Sequence, residues 1–316
     1  MAERVKATTW PQRLAVNAKM ASMLSRSHTT LQRRSWRALA AGALLAALVV
    51  ALLAGCATLD EQQRRWIFQP GTRNWAGGGA DGMQDVFIDF ESAALRQRVR
   101  LHGLWLPQAT ANAPVMLYLH GARWDVRSSA HRMRRMHELG FAVLGIEYRG
   151  FGQSTDTLPS EAEAQEDARA AWRWLAAQRP QAARYLFGHS LGGAIAVQLA
   201  AEVDDDAGLI VEGAFTSIAD VVSTFKWGWL PVSPFITQRF DAGSRIGQVG
   251  SPVLVVHGSE DTLIRPDLGR SLFERAAEPK RFLLVQGGSH HNTNAVGQAQ
   301  YRQAMAELFG LAGVGR

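Results

Sequence analysis

Cysteine is nearly absent from the 316 residues. Cys56 stands alone, so no disulfide can form within the chain. No His-x-x-x-His pair and no cysteine cluster offers metal-ligand spacing, and neither a metal nor a cofactor is expected. No internal repeat and no low-complexity linker divides the sequence, so a single domain is expected beyond the leader. Acidic residues are scarce at the N-terminus. Residues 1–55 carry eight Lys/Arg and one acid, Glu3, a net of +7. The chain total is +6, which leaves −1 for everything that follows. The basic pI near 10.0 therefore belongs to the leader and gives no ground for a nucleic-acid partner.

The leader has its own logic. Arg33, Arg34 and Arg37 precede the uncharged apolar run Ala38–Ala54, and Leu53-Ala54-Gly55-Cys56 closes it with small residues. Charge, apolar stretch and small-residue exit make a secretory signal. The exit resembles the lipobox (53–56) of a bacterial lipoprotein signal. By that resemblance cleavage precedes Cys56, lipid is attached to its thiol and its new amino group, and the exported chain runs Cys56–Arg316. Ala57, rather than Asp, then favours the outer membrane. The alternative is an uncleaved transmembrane anchor, although the run is shorter than the ~20 residues that span comfortably. Gln32-Arg33-Arg34-Ser35-Trp36 is also similar to a twin-arginine export signal. Met1–Thr30 fits neither leader nor domain, which makes Met20 and Met23 alternative starts.

After an entry segment (56–84) with a glycine-rich loop at Gly71–Gly82, hydrophobic patterning predicts alternating elements. Asp85–Phe90 and Arg98–Leu106 alternate apolar and polar residues and suit an antiparallel edge. Val115–Leu119 and Ala142–Ile146 are short apolar runs, as in strands covered on both faces, and Tyr185–Phe187, Leu209–Val211, Val253–Val256 and Arg281–Val285 are further strands. Helices are expected at Ser128–Leu139, from Ser160 to Gln178 behind a Ser160/Glu163 capping box, and at Leu191–Ala201, Asp267–Ala277 and Ala295–Leu311. Strand–helix alternation implies an α/β class, a mostly parallel doubly wound sheet over 85–316. Ser217–Gln248 interrupts the alternation with Phe225, Trp227, Trp229, Phe235 and Phe240, and is expected to form a small cap.

The chemistry centres on Gly188-His189-Ser190-Leu191-Gly192. Ser190 falls between a predicted strand and a predicted helix in a G-x-S-x-G frame, a turn that strains the serine and lifts its hydroxyl clear of the sheet. A serine hydroxyl needs a base, and the base needs an orienting carboxylate. Downstream, His257-Gly258-Ser259-Glu260-Asp261 follows one strand and Gly288-Ser289-His290-His291 another. Asp261 is the expected acid, with Glu260 as its neighbour alternative. His290 is the expected base, with His291 as the alternative. The tetrahedral intermediate needs two backbone donors: the Leu191 amide, and one after Val115–Leu119, where Ala122 is nominated and Arg123 is the alternative. Glycines 188–193 carry no G-x-G-x-x-G dinucleotide signature.

Together His120-Gly121, Glu147-Tyr148-Arg149-Gly150-Phe151-Gly152-Gln153-Ser154, Gly188–Gly193, Phe215-Thr216-Ser217, His257–Asp261 and Gly288-Ser289-His290 resemble the α/β-hydrolase superfamily. The Tyr-Arg-Gly-Phe-Gly-x-Ser and Phe-Thr-Ser pieces, with Trp66-Ile67-Phe68-Gln69-Pro70 as entry, look like its compact, lightly capped, often membrane-anchored branch. The resemblance implies a carboxylesterase-like serine hydrolase acting on a small acyl substrate through an acyl-enzyme. Two departures from that branch stand out: Ala122-Arg123-Trp124 where many members have Asn-Gly after His-Gly, and Glu147 where many have Asp. A serine peptidase or thioesterase uses the same machinery, and a surface lipoprotein that keeps the fold only for binding is the non-enzymatic alternative. A serine in the nucleophile position disfavours a dehalogenase, which needs a carboxylate there.

Overall fold

The computed structural model describes residues 10–71, 79–110, 112–226 and 228–311. Most of the expected Gly71–Gly82 loop, Trp227 of the expected cap, the first nine residues and the last five lie outside them. The chain divides into two compact units, Met1–Leu59 and Asp60–Arg316.

Helix α1 spans Trp10–Phe68. Its stretch Gly42–Phe68 is, by length and composition, long and apolar enough to cross a membrane. The helix continues through Gly55 and Cys56, where the sequence predicts the exit from the apolar run. The apolar part ends before Asp60, since Asp60, Glu61, Arg64 and Arg65 follow. Within the first unit Leu44, Leu45, Leu48, Val50, Leu52 and Leu53 are exposed. Within the second, Ile67 and Phe68 enter the core.

The second unit is built on one eight-stranded sheet. Its strands are β1 (Gln84–Ser92), β2 (Gln97–Leu106), β3 (Val115–Leu119), β4 (Ala142–Ile146), β5 (Arg184–His189), β6 (Gly208–Glu212), β7 (Val253–Gly258) and β8 (Lys280–Val285). They lie in the order β1-β2-β4-β3-β5-β6-β7-β8. β2 runs antiparallel to both β1 and β4, and all other pairs are parallel. This is the mostly parallel doubly wound sheet expected, with the antiparallel edge where the alternating segments placed it.

Every residue of β3 to β7 except Arg184 is buried. Successive side chains point to opposite faces, so β3 sends Val115, Leu117 and Leu119 to one core and Met116 and Tyr118 to the other. The first core is closed by α3 (Glu161–Gln178), α4 (Leu191–Ala200) and α6 (Pro266–Arg275). The second is closed by α2 (Ala130–Glu138) and α8 (Gln298–Phe309). Between them, α5 is Ile218–Ser223 and α7 is Thr293–Val296.

Three helices differ from expectation. The predicted Ser128–Leu139 helix opens as a 3₁₀ turn, Val126–Ser129, because Asp125 caps it through the Ser128 amide. The predicted Ala295–Leu311 helix is two helices separated by Gly297. Ser160 caps α3 by accepting from the Glu163 amide, but Glu163 does not return the bond. Its carboxylate takes the Arg64 guanidinium at 2.9 Å instead, tying α1 to α3 within the second unit.

One buried ion pair joins the sheet edge to its helices. Arg149 follows β4 and is fully buried; its guanidinium reaches Asp167 and Glu166 on α3 and the Ser92 hydroxyl at the end of β1. Arg149→Met leaves the buried Asp167 carboxylate without its cation, and breaking such a pair costs about 3–5 kcal/mol. Urea unfolding of Arg149→Met is expected to show a loss of that order; a loss under about 1 kcal/mol would refute this role.

Candidate active site

β5 ends at His189 and α4 begins at Leu191, so Ser190 alone makes the bend. Its backbone sits at φ 56°, ψ −121°, a region a side chain enters at a cost of about 1–3 kcal/mol. The strain is held on both sides: the Ser190 amide donates to the Glu212 carbonyl and its carbonyl accepts from Gly193, each at 2.9 Å. A Cβ at Gly192 would collide with the carbonyl oxygens of Leu119 and His120, so the close approach of α4 to β3 requires glycine there.

The β7 and β8 loops bring the other two side chains together. His290 Nδ1 lies 2.7 Å from Asp261 Oδ2, and both residues are buried. The other carboxylate oxygen accepts from the amides of Leu263 and Ile264 at 3.0 and 2.8 Å. His257 Nε2 is 3.4 Å from Oδ2 and 2.9 Å from the Ile264 carbonyl. Burial alone would push the Asp261 carboxyl up. The bonds from His257 and His290, and then the Ile264 amide, overcome it and hold the group far below the usual carboxylate range. Asp261 therefore stays an anion beside the imidazole. Of the alternatives, Glu260 is exposed and its amide donates to the Gly288 carbonyl at 2.8 Å, and His291 is exposed with its ring edge-on to His290.

Ser190 and His290 line the same cavity of about 500 Å³, closed by Phe215, Ile218, Val221 and Phe225 on its apolar side. Among the described residues no hydrogen bond joins the Ser190 hydroxyl to His290. Such bonds are often long in an unliganded site and tighten only around substrate. Leu191 is the first helical residue of α4, so its amide has no carbonyl four residues back to meet. Of the two candidates after β3, the Arg123 amide is spent on the Phe68 carbonyl at 2.9 Å, whereas among the described residues no backbone carbonyl takes that of Ala122.

Residues 110–244 match the family model described as "Serine aminopeptidase, S33". An uncharacterized protein of Mycobacterium tuberculosis is 34% identical over 258 residues, 79% of this chain and 89% of that protein. The chain belongs to the α/β-hydrolase superfamily. The lysophosphatidylserine lipase ABHD12 of Danio rerio is 31% identical over 187 residues, 53% of this hydrolase and 48% of that lipase. Among solved structures, the esterase Pf2001 of Pyrococcus furiosus superposes with a TM-score of 0.60 at 18% identity, over 77% of this chain and 99% of that one, a likeness of fold alone.

Sequence reasoning missed three residues around the site of this hydrolase. Arg132 on α2 is buried beneath it. Its guanidinium meets Glu212 at 3.0 Å and donates to the backbone carbonyls of His290 and His291 at 3.1 and 3.0 Å, so one cation grips the loop that carries the imidazole. Tyr301 closes the network by donating to the other Glu212 oxygen. Gly213 has φ +58°, and a Cβ there would press at 3.3 Å on the His290 ring. His102 bridges Glu147 and Asp85, each at 2.7 Å. Only the basic tract Arg132–Arg135 marked Arg132 and only a glycine after a strand marked Gly213, and neither pattern places a residue at the site.

The histidines packed under the cavity set a pH dependence. Burial holds His120 down at about 4, a shift that the contact of its Nδ1 with the Gly121 carbonyl only partly offsets. Burial and then the Arg132 charge hold His189 well below its ordinary value. Below pH ~6.5 the unfolded chain binds protons that these folded-state rings refuse, so stability falls as pH drops from ~6.5 toward 4. At pH 5 the penalty at His120 is about 2 kcal/mol. His120→Gln is therefore expected to lose less stability than the parent between pH 7 and pH 5, by about that amount, in paired urea titrations. Identical pH dependence in the two proteins would refute the assignment.

Proposed function

We propose that this serine hydrolase cleaves carboxylic esters through Ser190, His290 and Asp261. The observation that carries the reading is the buried 2.7 Å contact between His290 and an ionised Asp261, opening on the cavity that also receives the strained Ser190. With the proton of Nδ1 held by Asp261, His290 Nε2 accepts the Ser190 proton as the hydroxyl oxygen attacks the ester carbonyl carbon. The Leu191 and Ala122 amides donate to the resulting oxyanion, each worth about 3 kcal/mol of barrier. Collapse expels the alcohol, which takes the proton from His290, and leaves an acyl-enzyme. Water, deprotonated by His290, then releases the acid and restores the serine. The apolar wall of the cavity and the likeness to an esterase and a lipase support an ester substrate over a peptide.

Ser190→Ala is expected to lower kcat for a short p-nitrophenyl ester at least about a thousandfold with the fold intact, and to abolish labelling by a fluorophosphonate probe. Equal hydrolysis by parent and variant would refute the mechanism. A folded parent that neither labels nor hydrolyses would favour the binding reading.

We also infer that the chain is held at a membrane of the bacterial envelope. Residues 1–55 act as an export leader, Cys56 is the lipidated residue, 56–84 form an entry segment, 85–316 the hydrolase domain, and about 217–248 its small cap. The exposed Cys56 thiol and the apolar stretch before it support this. Palmitate labelling with intact-mass analysis is expected to show a lipid-bearing chain beginning at residue 56 and no lipid on Cys56→Ser. An unprocessed, unlipidated chain in the membrane fraction would replace the lipid anchor with a helical one.

A further inference from the structure

Large apolar side chains are exposed in one place far more than elsewhere in the second unit. Ten are exposed among the described residues of Asp60–Arg316, and five of them, Phe225, Trp229, Leu230, Val232 and Phe235, fall within 225–235. Trp229 and Phe235 are 74% and 65% exposed. Residues 229–236 contain no charge. The segment is not a loose tail. Backbone bonds from Gly228 to Phe225, Val232 to Leu230 and Phe235 to Val232 fold it into consecutive turns. It is also fastened to the end of α1: Gln63 donates to the Phe235 carbonyl at 2.7 Å and accepts from the Thr237 amide at 2.8 Å, and Gln238 donates to Asp60 at 2.8 Å. Trp66, itself more than half exposed, meets the Phe225 ring edge-on at 6.5 Å.

We propose that this face, Trp66 with Phe225 and 228–235, docks on the surface of a lipid bilayer and takes ester lipid from it into the cavity. The occupant follows from the chain itself. Seven residue steps separate Cys56 from Gln63, a reach of at most about 25 Å even when fully extended. Whether a lipid on Cys56 or the apolar helix before it holds the chain, the face is tethered that close to the membrane. Tryptophan and phenylalanine in and beside the uncharged run 229–236 are the side chains that settle in the headgroup region. A patch of this kind facing water would otherwise be an association hazard. Trp66 and Phe225 also line the cavity that holds Ser190. Docking therefore turns the cavity mouth toward the lipid, and an ester lipid need not cross water to enter.

The proposal rests on the anchoring and ester-hydrolase readings, and the test separates all three. The full chain is reconstituted into phosphatidylethanolamine/phosphatidylglycerol vesicles containing a phospholipid with a diazirine on its acyl chain. After irradiation, lipid adducts are mapped by mass spectrometry. Adducts within 225–235 are expected in addition to any on the anchor. The double variant W229S/F235S is expected to lose them and to hydrolyse vesicle-borne ester lipid about tenfold more slowly, with hydrolysis of a water-soluble short ester unchanged. Neither side chain lines the cavity. Adducts confined to residues before Asp60 would overturn docking while leaving the anchor in place. Adducts nowhere would overturn docking and anchoring together. Adducts on 225–235 without hydrolysis of either ester would support docking and refute only the ester-hydrolase reading. A dimer that W229S/F235S converts to monomer, with no adducts on the segment, would overturn docking in favour of a second copy as occupant.

Discussion

Parallel pairing of β3, β5, β6, β7 and β8 is the constraint on which the site depends. It aligns their C-terminal ends along one edge, so the loops after Leu119, His189, Glu212, Gly258 and Val285 open on the same side. A serine, an imidazole and a carboxylate separated by many residues of chain are thereby delivered to one place. The pairing in turn needs two apolar faces, which the continuous hydrophobic runs of β3 to β7 supply. Strain at Ser190 is sustained because bonds to β6 and α4 hold that residue from both directions.

The floor of the site is ionic. Arg132, Glu212 and Tyr301 form a buried cluster whose cation also holds the carbonyls of residues 290 and 291. A buried charge is costly unless it is fully paired, and this one meets a carboxylate and two carbonyls. The imidazole loop is thus fixed through its backbone rather than through its ring. That leaves the ring to the Asp261 carboxylate on one side and the cavity on the other. The neutral His189 ring packs 4.9 Å from His290, so no second cation sits beside the one that Arg132 provides.

Much of this was legible from the residues. Short apolar runs separated by helical stretches mark buried parallel strands, and each observed strand contains its predicted core. The G-x-S-x-G turn announced Ser190 because glycine at both flanks is a steric demand, visible without coordinates. The Ser160 cap was readable; the diversion of Glu163 to Arg64 was not, because the competing partner lies 99 positions away. The break of the last helix at Gly297 was hidden by continuous helical patterning on both sides. The bridge of His102 between Asp85 and Glu147 could not be read either, since it joins two strands and a loop distant in sequence.

By itself the sequence determined the α/β class, the strained position of Ser190, and a candidate acid and a candidate base in the order that such a sheet can bring together. These follow from local sterics and hydrophobic period, which act over a few residues. Only the tertiary structure chose between neighbours: Asp261 over Glu260 and His290 over His291 as the contacting pair, and Arg123 rather than Ala122 as the amide already spent. Adjacent residues on a loop share composition and exposure in the sequence. They part company only when the loop is packed and each side chain either finds a partner in the interior or turns to solvent.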